Sequence, residues 1–114
     1  MKKVKVIVKP VGKIPHIEWI DNELKAFQKI VGGYIETVSF TTDVCVICDE
    51  EGRLKGLPHN CVICGVEFVG DVVVVGTDGE EFADIPMSLE AFKKYFLREE
   101  AADERMERHR EGEQ

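Results

Sequence analysis

A chain of 114 residues, 44% hydrophobic and 32% charged, has the size of one domain and is too apolar for wholesale disorder. Its formal charge of −7 argues against general nucleic-acid binding, which calls for a basic patch; Lys2, Lys3 and Lys5 form the densest basic cluster. Apolar runs such as Val72 to Val75 are far too short to cross a bilayer.

Lys3 to Val8 alternates polar and β-branched residues and reads as a strand. It follows Met1-Lys2-Lys3 without the apolar block of a secretory signal, so an intracellular, cytoplasmic address is expected. Disulfides are not expected in that reducing setting. Pro10, Gly12 and Pro15 break the chain, and His16 to Ile20 forms a short second strand. Asp21 or Asn22 is placed to cap a helix whose apolar stripe is Leu24, Phe27, Ile30 and Val31. Gly32-Gly33 ends that helix, and Tyr34 to Phe40 is β-like.

Val44 to Cys48 is a compact strand running into the turn Asp49-Glu50-Glu51-Gly52. Arg53 to Asn60 is turn-rich. Cys61 to Val69 reads as strand, Gly70-Asp71 as a two-residue hairpin turn, Val72 to Val75 as strand, and Thr77-Asp78-Gly79 as a further turn. Ser88 caps a second helix with Leu89, Phe92 and Phe96 on its buried stripe. Residues 98–114 hold seven acids and four arginines and read as a charged helical extension or frayed tail. The expected fold is therefore α+β: a small, mostly antiparallel sheet packed with two helices, residues 1–97 forming the domain and an acidic tail following.

Three segments stand together: Leu24 to Glu36 with Val-Gly-Gly-Tyr-Ile-Glu, Cys48 to Asn60 with Asp-Glu-Glu-Gly and Leu-Pro-His-Asn, and Val75 to Phe82. In order and content they resemble the family called domain of unknown function 3846, carried by phages, plasmids and integrated elements of bacteria. The resemblance spans roughly residues 3–97. It implies an accessory protein of a mobile element and brings no activity, cofactor or catalytic residue with it. It also implies that Gly32, Gly33, Gly52 and Gly56 serve chain reversal. The cysteines are not part of the resemblance.

Cys45-Val-Ile-Cys48 and Cys61-Val-Ile-Cys64-Gly65 form two Cys-x-x-Cys pairs, the ligand spacing of a tetrahedral zinc site. Against zinc, Val-Ile favours extended strand, where residues three apart point to opposite faces, and free cysteine is readily buried as a small hydrophobe. Thiols without metal, and no cofactor, are the favoured expectation.

The best working surface is the polar stretch after Cys48. Arg53 and Lys55 can hold an anionic group, Asn60 can read an amide or base edge, and Glu51, His59 and the aromatic Tyr34 complete the set. The competing reading has Asp49 and Asn60 bonding their own turn backbones. No serine or cysteine has an evident histidine and acid partner. The acids Asp78, Glu80, Glu81 and Asp84 lack calcium-loop spacing, and no phosphate loop is present. An enzyme is not expected.

Three functions follow. The first is a binding protein that sequesters a host nucleotide signal or binds a host protein as counter-defence. The second is a zinc-stabilised four-cysteine module, and the third an acidic decoy for a nucleic-acid-binding enzyme. The expected partner is a host protein or a small anionic molecule, with self-association left open.

Overall fold

The computed structural model describes residues 2–98. The chain runs β1 (Lys3–Lys9), β2 (His16–Asp21), α1 (Leu24–Val31), β3 (Ile35–Thr41), β4 (Val44–Asp49), β5 (His59–Ile63), β6 (Val66–Val69), β7 (Val72–Asp78), β8 (Glu81–Ala83), α2 (Leu89–Tyr95) and β9 (Leu97–Arg98). It is an α+β fold in three layers. A six-stranded sheet, ordered β2-β1-β7-β4-β3 with β8 beside β7, forms the middle. Helix α1 covers one face; a three-stranded sheet, β6-β5-β9, and α2 cover the other.

Alternation along the strands divides the core. Val4, Val6, Cys45, Ile47, Val73 and Val75 point to α1 and meet Phe27 and Val31. Ile7, Val46, Val72 and Val74 point the other way and meet Cys61, Ile63, Phe68 and Phe92. The run Val72 to Val75 is apolar throughout because β7 is buried on both faces, which removes the usual polar alternation. Gly76 closes the run where the chain beyond β8 passes close by: a Cβ there would lie 2.2 Å from the carbonyl oxygen of Asp84.

Every strand pairing among the described residues is antiparallel, but the order is not a simple meander. Strand β7 sits between β1 and β4, and β5 and β6 leave to form the second sheet. Two turns differ from expectation. Cys61 to Val69 is broken at Cys64 and Gly65, both at positive φ (51° and 83°), which reverses the chain in a two-residue hairpin between β5 and β6. Gly70-Asp71 is a crossing between sheets and not a hairpin. Gly70 is left-handed at φ 74°, and the Asp71 carboxylate accepts the Val11 amide at 2.8 Å.

The helix ends follow the sequence only in part. Glu23 is the N-cap of α1 and makes no side-chain bond. Asp21 instead pairs with Lys3 at 2.9 Å, and the Asn22 side chain donates to the carbonyl of Phe82 at 3.1 Å. Gly32 ends α1 in the left-handed region, its amide donating to Gln28. The Ser88 hydroxyl caps α2 by accepting the Ala91 amide at 3.0 Å. That helix stops at Tyr95, and Leu97-Arg98 returns as strand against β5. The charged extension is expected from residue 98; Arg98 is strand instead, and residues 99–114 lie outside the described residues. No helix of the described residues is long and apolar enough to cross a membrane.

The two sheets are tied by a polar pair at the buried ends of β1 and β5. Lys9, fully buried, donates from Nζ to the carbonyl of Pro10 at 2.8 Å and to Asn60 Oδ1 at 2.9 Å. In return, Asn60 Nδ2 donates to the carbonyls of Lys9 at 2.8 Å and Gly70 at 2.6 Å. A buried ammonium and amide are tolerable because their hydrogen-bonding groups find such partners.

Candidate functional site

The polar stretch after β4 folds back on itself through backbone bonds from Gly52 to Asp49, Lys55 to Glu51 and Leu57 to Gly52. Its anchor is Asp49, whose side chain is 2% exposed. Asp49 Oδ2 accepts from Lys55 Nζ at 2.7 Å, and Oδ1 accepts the Glu51 amide at 2.8 Å. Above all the Lys55 bond, and then the Glu51 amide, hold this carboxyl below its ordinary range, although burial alone would raise it. Lys55 also donates to the carbonyl of Gly32 at 3.3 Å, where a cation complements the negative end of α1.

Gly33 lies directly over this ion pair. A Cβ at Gly33 would stand 2.7 Å from Lys55 Nζ and 2.9 Å from Asp49 Oδ2. The residue thus serves close approach, not the chain reversal expected of it; Gly52 likewise faces Val69 at 3.0 Å. The helix-ending Gly-Gly-Tyr segment and the Asp49-to-Asn60 segment are therefore one structural unit.

The result is a ridge with a hollow on each flank. On one side Tyr34, Glu51 and Lys55 come together with Gln28 and Gly33 around a depression of about 270 Å³. On the other, Arg53 and Leu54 border a cleft of about 260 Å³ with Glu36, Glu50, Cys48 and Glu67. Arg53 donates to the Glu67 carbonyl at 3.0 Å and lies 3.9 Å from its carboxylate. His59 meets the same carboxylate at 2.7 Å. The six residues expected to act together are thus divided: Tyr34, Glu51 and Lys55 share one flank, and Arg53 and His59 are drawn to Glu67 on the other.

Asn60 leaves the set altogether. It is 4% exposed, and its amide is committed to Lys9 and Gly70, so it cannot read a ligand edge. It does not bond its own turn either; only Asp49 does that. Nothing in the spacing pointed to Lys9 as its partner. The one signal is the phase of β1, where Lys9 shares a face with buried Ile7. Glu67, in a stretch read as plain strand, and Gln28, on the helix, were also missed.

The four cysteines do not converge. Cys45 faces α1, Cys48 and Cys61 belong to the opposite cluster, and Cys64 is exposed on the hairpin turn. Among the described residues no group of three or more histidines, cysteines or acids is placed to hold a metal ion. Burial raises the Cys45 thiol to about 11. Cys48 also rises to about 11, chiefly by burial, with Glu36 and Asp49 adding to it and Arg53 opposing. Thiols so held are poor nucleophiles and poor metal ligands. The strand geometry of β4 thus sends Cys45 and Cys48 to different clusters.

A family model described as "Domain of unknown function (DUF3846)" matches residues 1–97. The chain belongs to this family. No curated protein and no solved structure matches it. The DUF3846 match ends at Leu97, within β9, so the ridge and both of its flanks lie inside the family's domain.

Proposed function

We propose that this DUF3846 protein is a non-enzymatic accessory binding protein of a phage or other mobile element. It acts in the cytoplasm of the bacterial host and engages a host protein through the ridge after β4. The observation that carries this reading is an exposed apolar tip on a rigid base. Leu54 is 88% exposed and Tyr34 70% exposed, while the loop bearing Leu54 is pinned by the bond of Lys55 to buried Asp49. A pre-organised loop with exposed apolar and aromatic side chains loses little freedom on docking.

The hollows favour a protein over a nucleotide. Their volumes, about 270 and 260 Å³, fall below the roughly 300–1,000 Å³ usual for small-molecule sites. Of the cations expected to hold phosphate, Lys55 is bound to Asp49 and Arg53 to Glu67. Glu36, Glu50 and Glu51 around the ridge, on a chain of charge −7, suit a basic partner surface.

A photo-crosslinking residue placed at position 54, at position 34, or at Glu80 in the distant β7–β8 turn tests this in the bacterial host. Positions 34 and 54 should capture the same host protein, and position 80 should not. Leu54→Glu should weaken that complex at least tenfold without changing the melting temperature. Capture of nothing beyond what position 80 captures would overturn the proposal.

A further inference from the structure

A third hollow lies on the far side of Glu67 from the ridge, between the β5–β6 turn and the end of α2. Its volume is about 550 Å³, inside the range of small-molecule sites. Val62, Phe96 and Leu97 give it apolar wall, while Lys94, Tyr95 and Arg98 give it polar groups. The hollow is built before any ligand arrives. The Cys64 amide donates to the carbonyl of Phe96 at 3.1 Å, and β9 pairs with β5 through Val62–Arg98 and Ile63–Leu97.

Its charge runs against that of the chain. Neither Lys94 nor Arg98 makes an ion pair among the described residues. The one acid on its wall, Glu67, is already engaged by His59 and Arg53. Tyr95 is 69% exposed, with Lys94 Nζ 5.3 Å from its ring centroid. A guanidinium fork, an ammonium and an accessible aromatic face around one cavity are the donor set for a phosphate attached to a planar ring.

We propose that this cavity binds a phosphate monoester carrying a planar ring, the class of the nucleoside monophosphates. Arg98 and Lys94 hold the phosphate and Tyr95 stacks on the ring. The site shares only the wall residue Glu67 with the cleft beside the ridge, and it does not depend on the protein-binding reading.

Backbone NMR of the full chain tests it, with adenosine monophosphate, ribose 5-phosphate, inorganic phosphate and adenosine as probes. Adenosine monophosphate should shift the amides of Val62, Gly65, Tyr95 and Leu97. The two ring-free phosphates should shift the same amides more weakly, and adenosine should do least. Lys94→Ala and Arg98→Ala should each weaken binding about tenfold, as expected for loss of one charged hydrogen bond. Tyr95→Ala should weaken adenosine monophosphate while sparing ribose 5-phosphate. All three side chains are surface groups, so unchanged spectra elsewhere will report intact folding.

Three results would overturn the site. One is no shift of those amides with any probe at millimolar concentration. A second is shifts indifferent to both cation variants. The third is binding seen only after Glu99→Gln with Glu100→Gln, which would mean the cations serve the chain's own carboxylates.

Discussion

Asp49 and Lys55 show how two residues fix the candidate surface. The Asp49 carboxyl is held below its ordinary value of 3.8 in the folded chain. A depressed acid contributes stability that is present above the unfolded value and lost as pH falls through the folded one. The window of loss therefore lies below pH about 4. Lys55→Met removes the largest cause of the depression and leaves a buried charge without its cation. Lys55 is 39% exposed, so the full cost of breaking a buried pair is discounted for solvent screening. The expected loss is about 1–3 kcal/mol at pH 7, read from urea unfolding. Repeated at pH 3, the gap between variant and wild type should narrow. A gap unchanged with pH would mean that Lys55 acts by packing alone.

At the scale of elements, the Lys9–Asn60 pair joins the two sheets where no apolar contact could supply register. Asn60→Ala takes one acceptor from the Lys9 ammonium, which keeps the Pro10 carbonyl, and removes the amide donors to the carbonyls of Lys9 and Gly70; it should cost about 2–4 kcal/mol in denaturant unfolding. Asn60→Asp offers the ammonium a new partner but removes both amide donors, and should fall between. The sequence carried the elements whose signals are local. Helix α1 was legible from its apolar stripe and from Gly32, and α2 from Ser88 and Phe92. What it hid was partnership. Asn60 among polar neighbours reads as a loop residue, because nothing in the sequence reveals that β1 will deliver Lys9 to it. The Cys64-Gly65 turn is hidden too, because Cys61 to Val69 reads as one strand and nothing in it announces the positive φ at Cys64. Of the residues named for the working surface, Tyr34, Glu51 and Lys55 come together in the fold. Arg53 and His59 meet Glu67 instead, a pairing hidden from the sequence because Glu67 arrives from another strand.

For the whole molecule, the three layers set the cysteines apart. Cys45 and Cys48 lie on opposite faces of β4 because an odd separation in a strand changes face, and a single ion cannot reach both. Full-length protein should therefore keep the same melting temperature with and without a strong chelator; a drop of several degrees would show metal tied to folding. The order β2-β1-β7-β4-β3 has a further consequence, for the chain as it is made. The β1–β2 and β3–β4 hairpins are each local and can form early, but neither touches the other in the main sheet. The strand that joins them is synthesised only after the second sheet's β5 and β6 have been interposed. Until residues 72–78 leave the ribosome, β1 and β4 each present an open edge to solvent. The most vulnerable moment in this protein's life thus falls late in translation, and the insertion of four consecutive valines ends it.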